Sequence, residues 1–505
     1  MGHLNNALAA LLALFSLFAV RGIYTYIEGI RFSRAHGCKP AKRFPQSERI
    51  IGYDLYKQQQ EAARTKSLLA RGLKRYADNG PTFSFSFMGN TFVSTIDPEN
   101  IKHILATQFG DFVLGSRSVT FGPLLGRGIF TSDGTHWEHS RALVRPNFTR
   151  AQVADLNTFE THIQHMIAKI PRDGSTVDLQ TLFFRLTLDS ATEFLFGESV
   201  HSLLHPDNSE EQEFGRAFDA AQNLCGRRGR LGKLGAYYTT KDFQKNCKTV
   251  HDFVDKIVMK AVKDVDPQDP EKTASGNGGR YVFLNEMVKS TRDPKQLRDE
   301  LLNILLAGRD TTASLLSHTF HVLARRPDIL KPLQNEIDEL NGKVPDYETL
   351  KQMKYLKNLL TESLRLFPVV PGNARQANKN TTIPRGGDPD GLSPIFIAKG
   401  TIVTYAPYAM HRRKDIYGPD ADIFRPERWA PEEGLRPGWG YLPFNGGPRI
   451  CVGQQFALTE ASYTIIRLLQ EFKGLENRDD GPWVENLALT LSVDGGVKVA
   501  MVPRS

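Results

Sequence analysis

Phe444-Asn445-Gly446-Gly447-Pro448-Arg449-Ile450-Cys451-Val452-Gly453 sets one cysteine among glycines, directly before a stretch of helical period over 454–472. A thiolate that ligates iron must be shielded from water and oxidation, yet kept deprotonated. Glycines at 446, 447 and 453 let backbone N–H groups come close to the sulfur. Those donors, together with the charge of the metal, hold the thiolate form. The following helix points its positive end at the same atom. In this arrangement Phe444 packs beside the sulfur, and Arg449 is placed to meet a heme propionate.

Three further constellations lie upstream. Ala307-Gly308-Arg309-Asp310-Thr311-Thr312 falls on a helix expected over 296–325. Small residues at 307 and 308 let that helix cross close above a porphyrin. Asp310 and Thr311 form an acid–alcohol pair that can relay protons, and Thr311 can bond a carbonyl one turn back and open the helix. Glu362-Ser363-Leu364-Arg365 puts two opposite charges on one helix face. Alone, that would be an ordinary surface ion pair. Trp137 and Arg141, in Trp137-Glu138-His139-Ser140-Arg141, stand one turn apart. An indole N–H and a guanidinium can hold one carboxylate together.

In combination these motifs resemble the cytochrome P450 superfamily. The cysteine loop is similar to its heme-binding loop, the 307–312 motif to its oxygen-activation motif, and Glu362 with Arg365 to its ExxR pair. The resemblance implies heme b with Cys451 as axial thiolate, Gly453 in the same loop, and Arg375 as another propionate contact. It implies a third member of a structural triad, Arg425 in Phe424-Arg425-Pro426-Glu427-Arg428-Trp429. Ala307 stands where the animal fatty-acid ω-hydroxylase branch has a Glu that can esterify the heme, so the heme is expected to be non-covalent. No GxGxxG follows a strand, so no nicotinamide or flavin fingerprint is present. A separate NADPH–cytochrome reductase, docking at the cysteine side, is implied.

Leu305, Leu306 and Gly308 are expected to roof the substrate pocket, with Phe121, Val369 and Val370 as side walls and Leu491 from a final hairpin. The resemblance sharpens over 121–130, 301–312 and 444–460, toward the fungal and yeast branch that hydroxylates n-alkanes and fatty acids at the chain end. A hydrophobic substrate and O2 are therefore expected. The alternatives are a tailoring monooxygenase of fungal secondary metabolism, an electron-independent heme-thiolate isomerase or dehydratase, and a heme protein without oxygenase activity. Intact Asp310 and Thr311 argue against the last.

The elements that position these residues read as mainly helical with small peripheral sheets. Helices are expected over 155–170, 179–196, 296–325 and 347–367. Period-two patterns predict a hairpin around Phe83, Phe85, Phe87 and Thr91-Phe92-Val93, and another joining 487–491 to 497–501. Residues 264–279 are polar and read as a loop. Basic and apolar groups mix from Arg227 to Tyr238, as in a membrane-surface segment or a solvated loop.

At the N-terminus, 7–20 is apolar except for Ser16, and seven Lys or Arg residues fall between Arg21 and Arg49. No Lys or Arg precedes the run, unlike a signal peptide. We expect a transmembrane anchor over 1–30, a basic and proline-bearing linker over 31–50, and one domain over 51–505. The anchor is short for a span, and the charge distribution keeps the domain cytosolic, as a single-pass protein of the endoplasmic reticulum membrane. The 505 residues, 40% hydrophobic and 24% charged, suit a packed globular chain. The net charge of +8 is spread without the aromatic-laced basic runs of a nucleic-acid binder. Four scattered cysteines without a CxxC pair argue against a disulfide framework or a zinc site.

Overall fold

Helix Pro294–Leu323 runs through the middle of the fold. Asp293 caps it, accepting from the N–H groups of Lys295 and Gln296, and Pro294 takes the first position, where an N–H has no partner to lose. Helix Leu179–Phe196 lies along it, and helices Lys241–Asp264 and Gln454–Glu471 pack on its other sides. One apolar core includes Phe183, Phe320, Leu359 and Ile466; a second includes Phe218, Val254, Phe283 and Leu301. This is a computed structural model describing residues 2–149, 155–206, 209, 212–264 and 281–504.

A five-stranded sheet at one edge carries part of the site. Its strands run Thr82–Phe87, Asn90–Thr95, Ile402–Tyr405, Asn373–Ala377 and Phe112–Val113, with the second and third parallel. The first hairpin is the one the alternation predicts, with Phe83 opposite Ser94. The second differs. Leu491–Val493 pairs with Glu485–Leu487, whereas Lys498–Pro503 pairs with Phe472–Asn477 and Val177–Asp178. Alternation marks a strand but not its partner, and a distant strand won the pairing. Met353 divides the helix expected over 347–367 into Tyr347–Gln352 and Lys354–Leu366.

The N-terminal helix spans Gly2–Ala35. Its last turns dock on the body, where Phe32 lies 5.5 Å from Phe396. Farther back, Phe15, Phe18, Tyr24 and Tyr26 are exposed. No helix among the described residues is long and apolar enough to cross a membrane. Leu12, Leu17 and Val20 are exposed as well, and Arg21 and Glu28 interrupt the apolar run. The expected linker is also fixed in place: Ala41 bridges Gly387, and Phe44 N donates to Ser84 O at 2.8 Å. Beyond Asp264, the loop expected over 264–279 lies outside the described residues.

Candidate functional site

The cysteine loop is shaped by close contacts. Gly447 has φ +66°, and a Cβ there would sit 1.8 Å from Leu105 O, so no other residue fits. At Gly446 a Cβ would meet the Trp439 ring at 2.6 Å. Asn445 (φ +60°) donates to Arg449 O at 3.1 Å and accepts from Tyr405 Oη at 2.9 Å. Cys451 N donates to Phe444 O at 2.9 Å. The Gly453 N–H donates to the sulfur, and helix Gln454–Glu471 begins at the next residue. Burial pushes the Cys451 thiol up, and the Gly453 N–H and the nearby Arg141 guanidinium oppose it. Cys225 and Cys247 are buried, whereas Cys451 keeps accessible surface although surrounding protein raises its pKa.

Four arginines gather beside this loop. Arg449 donates to Ile129 O (3.2 Å), Ser132 O (3.0 Å) and Asp133 Oδ1 (2.7 Å), and stacks 4.3 Å above the Trp137 ring. Arg375, on the strand Asn373–Ala377, donates to Asn373 Oδ1 and Ala374 O, while its buried Nε has no partner. Arg117 donates to the same Asn373 oxygen. Arg141 donates to Ile450 O at 3.0 Å. Burial pulls Arg449 down to about 10, and Arg375, Arg117 and Arg141 add to the fall while Asp133 opposes it. Arg117 falls to about 10 through burial and the charge of Arg375.

Among the described residues, Asp133 is the one carboxylate paired with the cluster, so positive charge is left in excess. An orphaned buried Nε, that excess, and an accessible cysteine sulfur that accepts a backbone N–H fit a porphyrin with two carboxylates and an iron. Sequence reasoning expected Trp137 and Arg141 to act as a pair. Instead Trp137 stacks on Arg449, and Arg141 turns to the loop carbonyl. Arg117, at the start of helix Arg117–Leu125, was missed, since a lone arginine carries no spacing signal.

Helix Pro294–Leu323 is buried along most of its length, but Ala307, Gly308 and Thr311 are only half-buried and share one face. Thr311 Oγ1 donates to Ala307 O at 2.7 Å, the one-turn-back bond expected from the motif. A Cβ at Gly308 would meet nothing nearer than Ala191 Cβ at 3.9 Å, so the protein's own packing does not demand a glycine there. Asp310 is buried, accepts from Gln222 Nε2, and pairs with Arg309 at 3.5 Å. Burial raises its pKa against the opposing effects of Arg309 and Gln222. A second buried acid was missed: Glu460 accepts from Ser190 Oγ, and burial pushes it up to about 7 against that bond.

Of the expected pocket residues, Phe121 and Gly308 are half-buried and Val370 is exposed. Leu305 and Leu491 have no accessible surface, and Leu306 and Val369 little. The correction is that Leu305 and Leu491 stand behind the wall, because core neighbours cover them completely.

Glu362 and Arg365 are wholly buried. Arg365 makes two 2.8 Å bonds to the carboxylate and also donates to His411 O, Ala421 O and Ile423 O. The third member is Arg428, not Arg425. Arg428 Nε donates to Glu362 Oε1 at 3.1 Å, and Trp429 Nε1 to Oε2 at 2.9 Å. Arg425 offers Glu362 only its backbone N–H, and its side chain turns to Asp420 and Glu433. His411 links the cluster to the cysteine loop: its Nδ1 donates to Arg365 O, and its Nε2 accepts from Leu442 N at 2.8 Å. Burial drives His411 down to about 3, which keeps it neutral for both bonds.

The family model for cytochrome P450 matches residues 56–494. Cytochrome P450 monooxygenase himC of Aspergillus japonicus is 46% identical over 468 residues, covering 92% of this chain and 84% of that protein. Cytochrome P450 52A13 of Debaryomyces hansenii is 48% identical over 490 residues, covering 93% of each. The crystal structure of the cytochrome P450DA heme domain aligns with a TM-score of 0.76 at 22% identity, over 93% of this chain and 97% of that one; this likeness concerns the fold alone.

Proposed function

The chain belongs to the cytochrome P450 family, and we propose that it is a monooxygenase that hydroxylates the terminal carbon of a long-chain fatty acid or n-alkane. Heme, when bound, supplies oxygen activation, with electrons from NADPH through a separate reductase. The chain's own residues hold it and move protons. Cys451 would hold the heme iron through its thiolate, supported by the Gly453 N–H. Arg449, Arg375, Arg117 and Arg141, with Trp137, meet the propionates. Glu362, Arg365 and Arg428 brace the loop through His411. Thr311 and Asp310 deliver protons: Thr311 from the open face of the helix, Asp310 from the buried side, where its raised pKa suits it to carry a proton.

The observation that carries this reading is an accessible Cys451 in a glycine-shaped loop beside an excess of arginine charge. The lipid substrate rests on the resemblance to the chain-end hydroxylase branch and on the apolar surfaces of Phe121 and Val370. We assign residues 1–30 to membrane attachment and the domain from residue 51 to the cytosolic face of the endoplasmic reticulum. Exposed Leu234, Tyr237 and Tyr238, with Ile50 and Ile51, support contact with a membrane surface.

The test is a product assay. The heme-loaded protein, a fungal reductase and NADPH are given mixed long-chain fatty acids and alkanes, and mass spectrometry locates the new oxygen. Terminal hydroxylation is expected. No lipid product from protein with a normal carbon monoxide spectrum favours the second reading, a tailoring monooxygenase; the similarity of himC, from a filamentous fungus, supports that alternative.

A further inference from the structure

Helix Arg117–Leu125 carries Phe121 and contains Pro123. Proline has no N–H, so the carbonyl of Val119, four residues earlier, is left without a helical donor. Arg228 supplies one. Its Nη2 donates to Val119 O at 3.0 Å, its Nε to Thr120 O at 3.1 Å, and its Nη1 to Tyr238 O at 2.6 Å. One side chain on helix Glu213–Arg230 thus ties together that helix, helix Arg117–Leu125 and the turn after Gly232–Tyr237.

Arg228 is buried, and no carboxylate pairs with it among the described residues. Its guanidinium lies 5.2 Å from the Phe243 ring. Burying an arginine without a counter-charge is costly, and here its compensation comes from carbonyls on elements that face one another. The neighbouring residue closes the same seam: a Cβ at Gly229 would lie 3.7 Å from the Phe121 ring. On the next helix, Lys241–Asp264, His251 Nε2 bonds Leu124 O at 2.8 Å. Arg298, Asp299 and Asp255 also act on His251, and burial keeps its pKa below the usual value, which suits a neutral ring donating to a carbonyl. An open cleft of about 560 Å³ runs along this seam, lined by Pro123, Arg228, Phe243, Cys247, His251 and Arg298.

We propose that Arg228, assisted by His251, is a latch that holds helix Arg117–Leu125 closed against helices Glu213–Arg230 and Lys241–Asp264, so that ligands reach the cavity when these carbonyl bonds release. Both latch residues grip main-chain oxygens, so the helix is held whatever its outward side chains. Helix Glu213–Arg230 also carries Gln222, the partner of Asp310. The latch and the partner of the buried acid therefore share one helix. The proposal rests on the reading that Phe121 walls the substrate cavity.

The test uses the heme-loaded full chain in wild-type, Arg228→Met, Arg228→Lys and His251→Leu forms. Stopped-flow absorbance follows entry and release of 1-phenylimidazole, which binds the iron whatever the natural substrate. Hydrogen–deuterium exchange follows the amides of 117–125. Arg228→Met should raise both exchange rates of the probe about ten-fold, the factor that corresponds to losing roughly one charge-assisted bond of about 1.4 kcal/mol. Amide exchange in 117–125 should rise while that of helix Pro294–Leu323 stays unchanged. Arg228→Lys, whose single nitrogen cannot reach all three carbonyls, should fall between the two.

If Arg228→Met does not retain heme, His251→Leu, at a half-buried position, carries the test with a smaller rise in the same quantities. Unchanged probe rates and unchanged protection of 117–125 in the variants that hold heme overturn the latch. A wild type that binds the probe but oxidises no lipid overturns the substrate reading and leaves the latch measurement standing.

Discussion

Replacing Arg428 by alanine should cost far more than replacing Arg425. The Arg428 side chain is 2% exposed and donates to Glu362, whose own side chain is 0% exposed. It also donates to Tyr417 O and Ile423 O, and bonds both carboxylate oxygens of Asp420. Removing it strands a buried carboxylate short of a donor and takes the Arg428 bond from the Tyr417 carbonyl, while Ile423 O keeps its bond from Arg365. Breaking a buried pair from one side costs about 3–5 kcal/mol, a large part of a total stability of about 5–15 kcal/mol. Arg425 is 35% exposed and pairs with Asp420 and Glu433 near the surface, where such pairs are worth about 0–1 kcal/mol. Its bond to Glu362 is made by the backbone and survives the substitution. Urea unfolding, read by heme absorbance and far-ultraviolet circular dichroism, measures both variants. Arg428→Ala should unfold at much lower urea and lose heme on purification, while Arg425→Ala stays near wild type. Equal stability of the two would refute the assignment of Arg428 to the cluster.

Two other outcomes are expected. Thr311→Ala should retain heme but yield roughly ten-fold less product per NADPH, a modest share of what a positioned proton-transfer group contributes; unchanged coupling would remove Thr311 from proton delivery. Glu300, with neither oxygen partnered, and Glu460 are both raised to about 7, first by burial. A carboxyl whose folded pKa is raised favours the folded state while protonated. Its contribution is full below the ordinary carboxylate pKa of 4.5 and is lost as pH rises toward 7. Wild type should therefore lose stability between about pH 5 and 8, on the order of 3 kcal/mol per group. Glu300→Gln and Glu460→Gln should flatten that slope in urea titrations at a series of pH values, and an unaltered slope in both would show that these acids do not titrate there.

The parts of the site that could be read from sequence are those written locally. The cysteine loop, the Thr311 bond to Ala307 and the Glu362–Arg365 pair all depend on residues within a few positions of one another. What escaped was set by tertiary contact. Arg425 and Arg428 are both arginines in one irregular stretch, and only the fold decides which side chain turns to Glu362. Arg117 joins the charge cluster because a strand from residue 373 brings Asn373 beside it. The second hairpin failed for the same reason, since Lys498–Pro503 found Phe472–Asn477. Leu305 and Leu491 have the right chemistry for a pocket wall but lie one layer too deep. The mostly helical architecture, by contrast, followed from periodicity alone, because the long helices bury consistent faces.

The most direct test of Cys451 as the heme ligand is the carbon monoxide difference spectrum of the reduced, heme-loaded protein beside its Cys451→Ser variant. Wild type should give the long-wavelength band of a thiolate-ligated heme, and Cys451→Ser should lose that band entirely. A variant that kept the thiolate-type band would contradict the account, because the iron would then be held by some other sulfur.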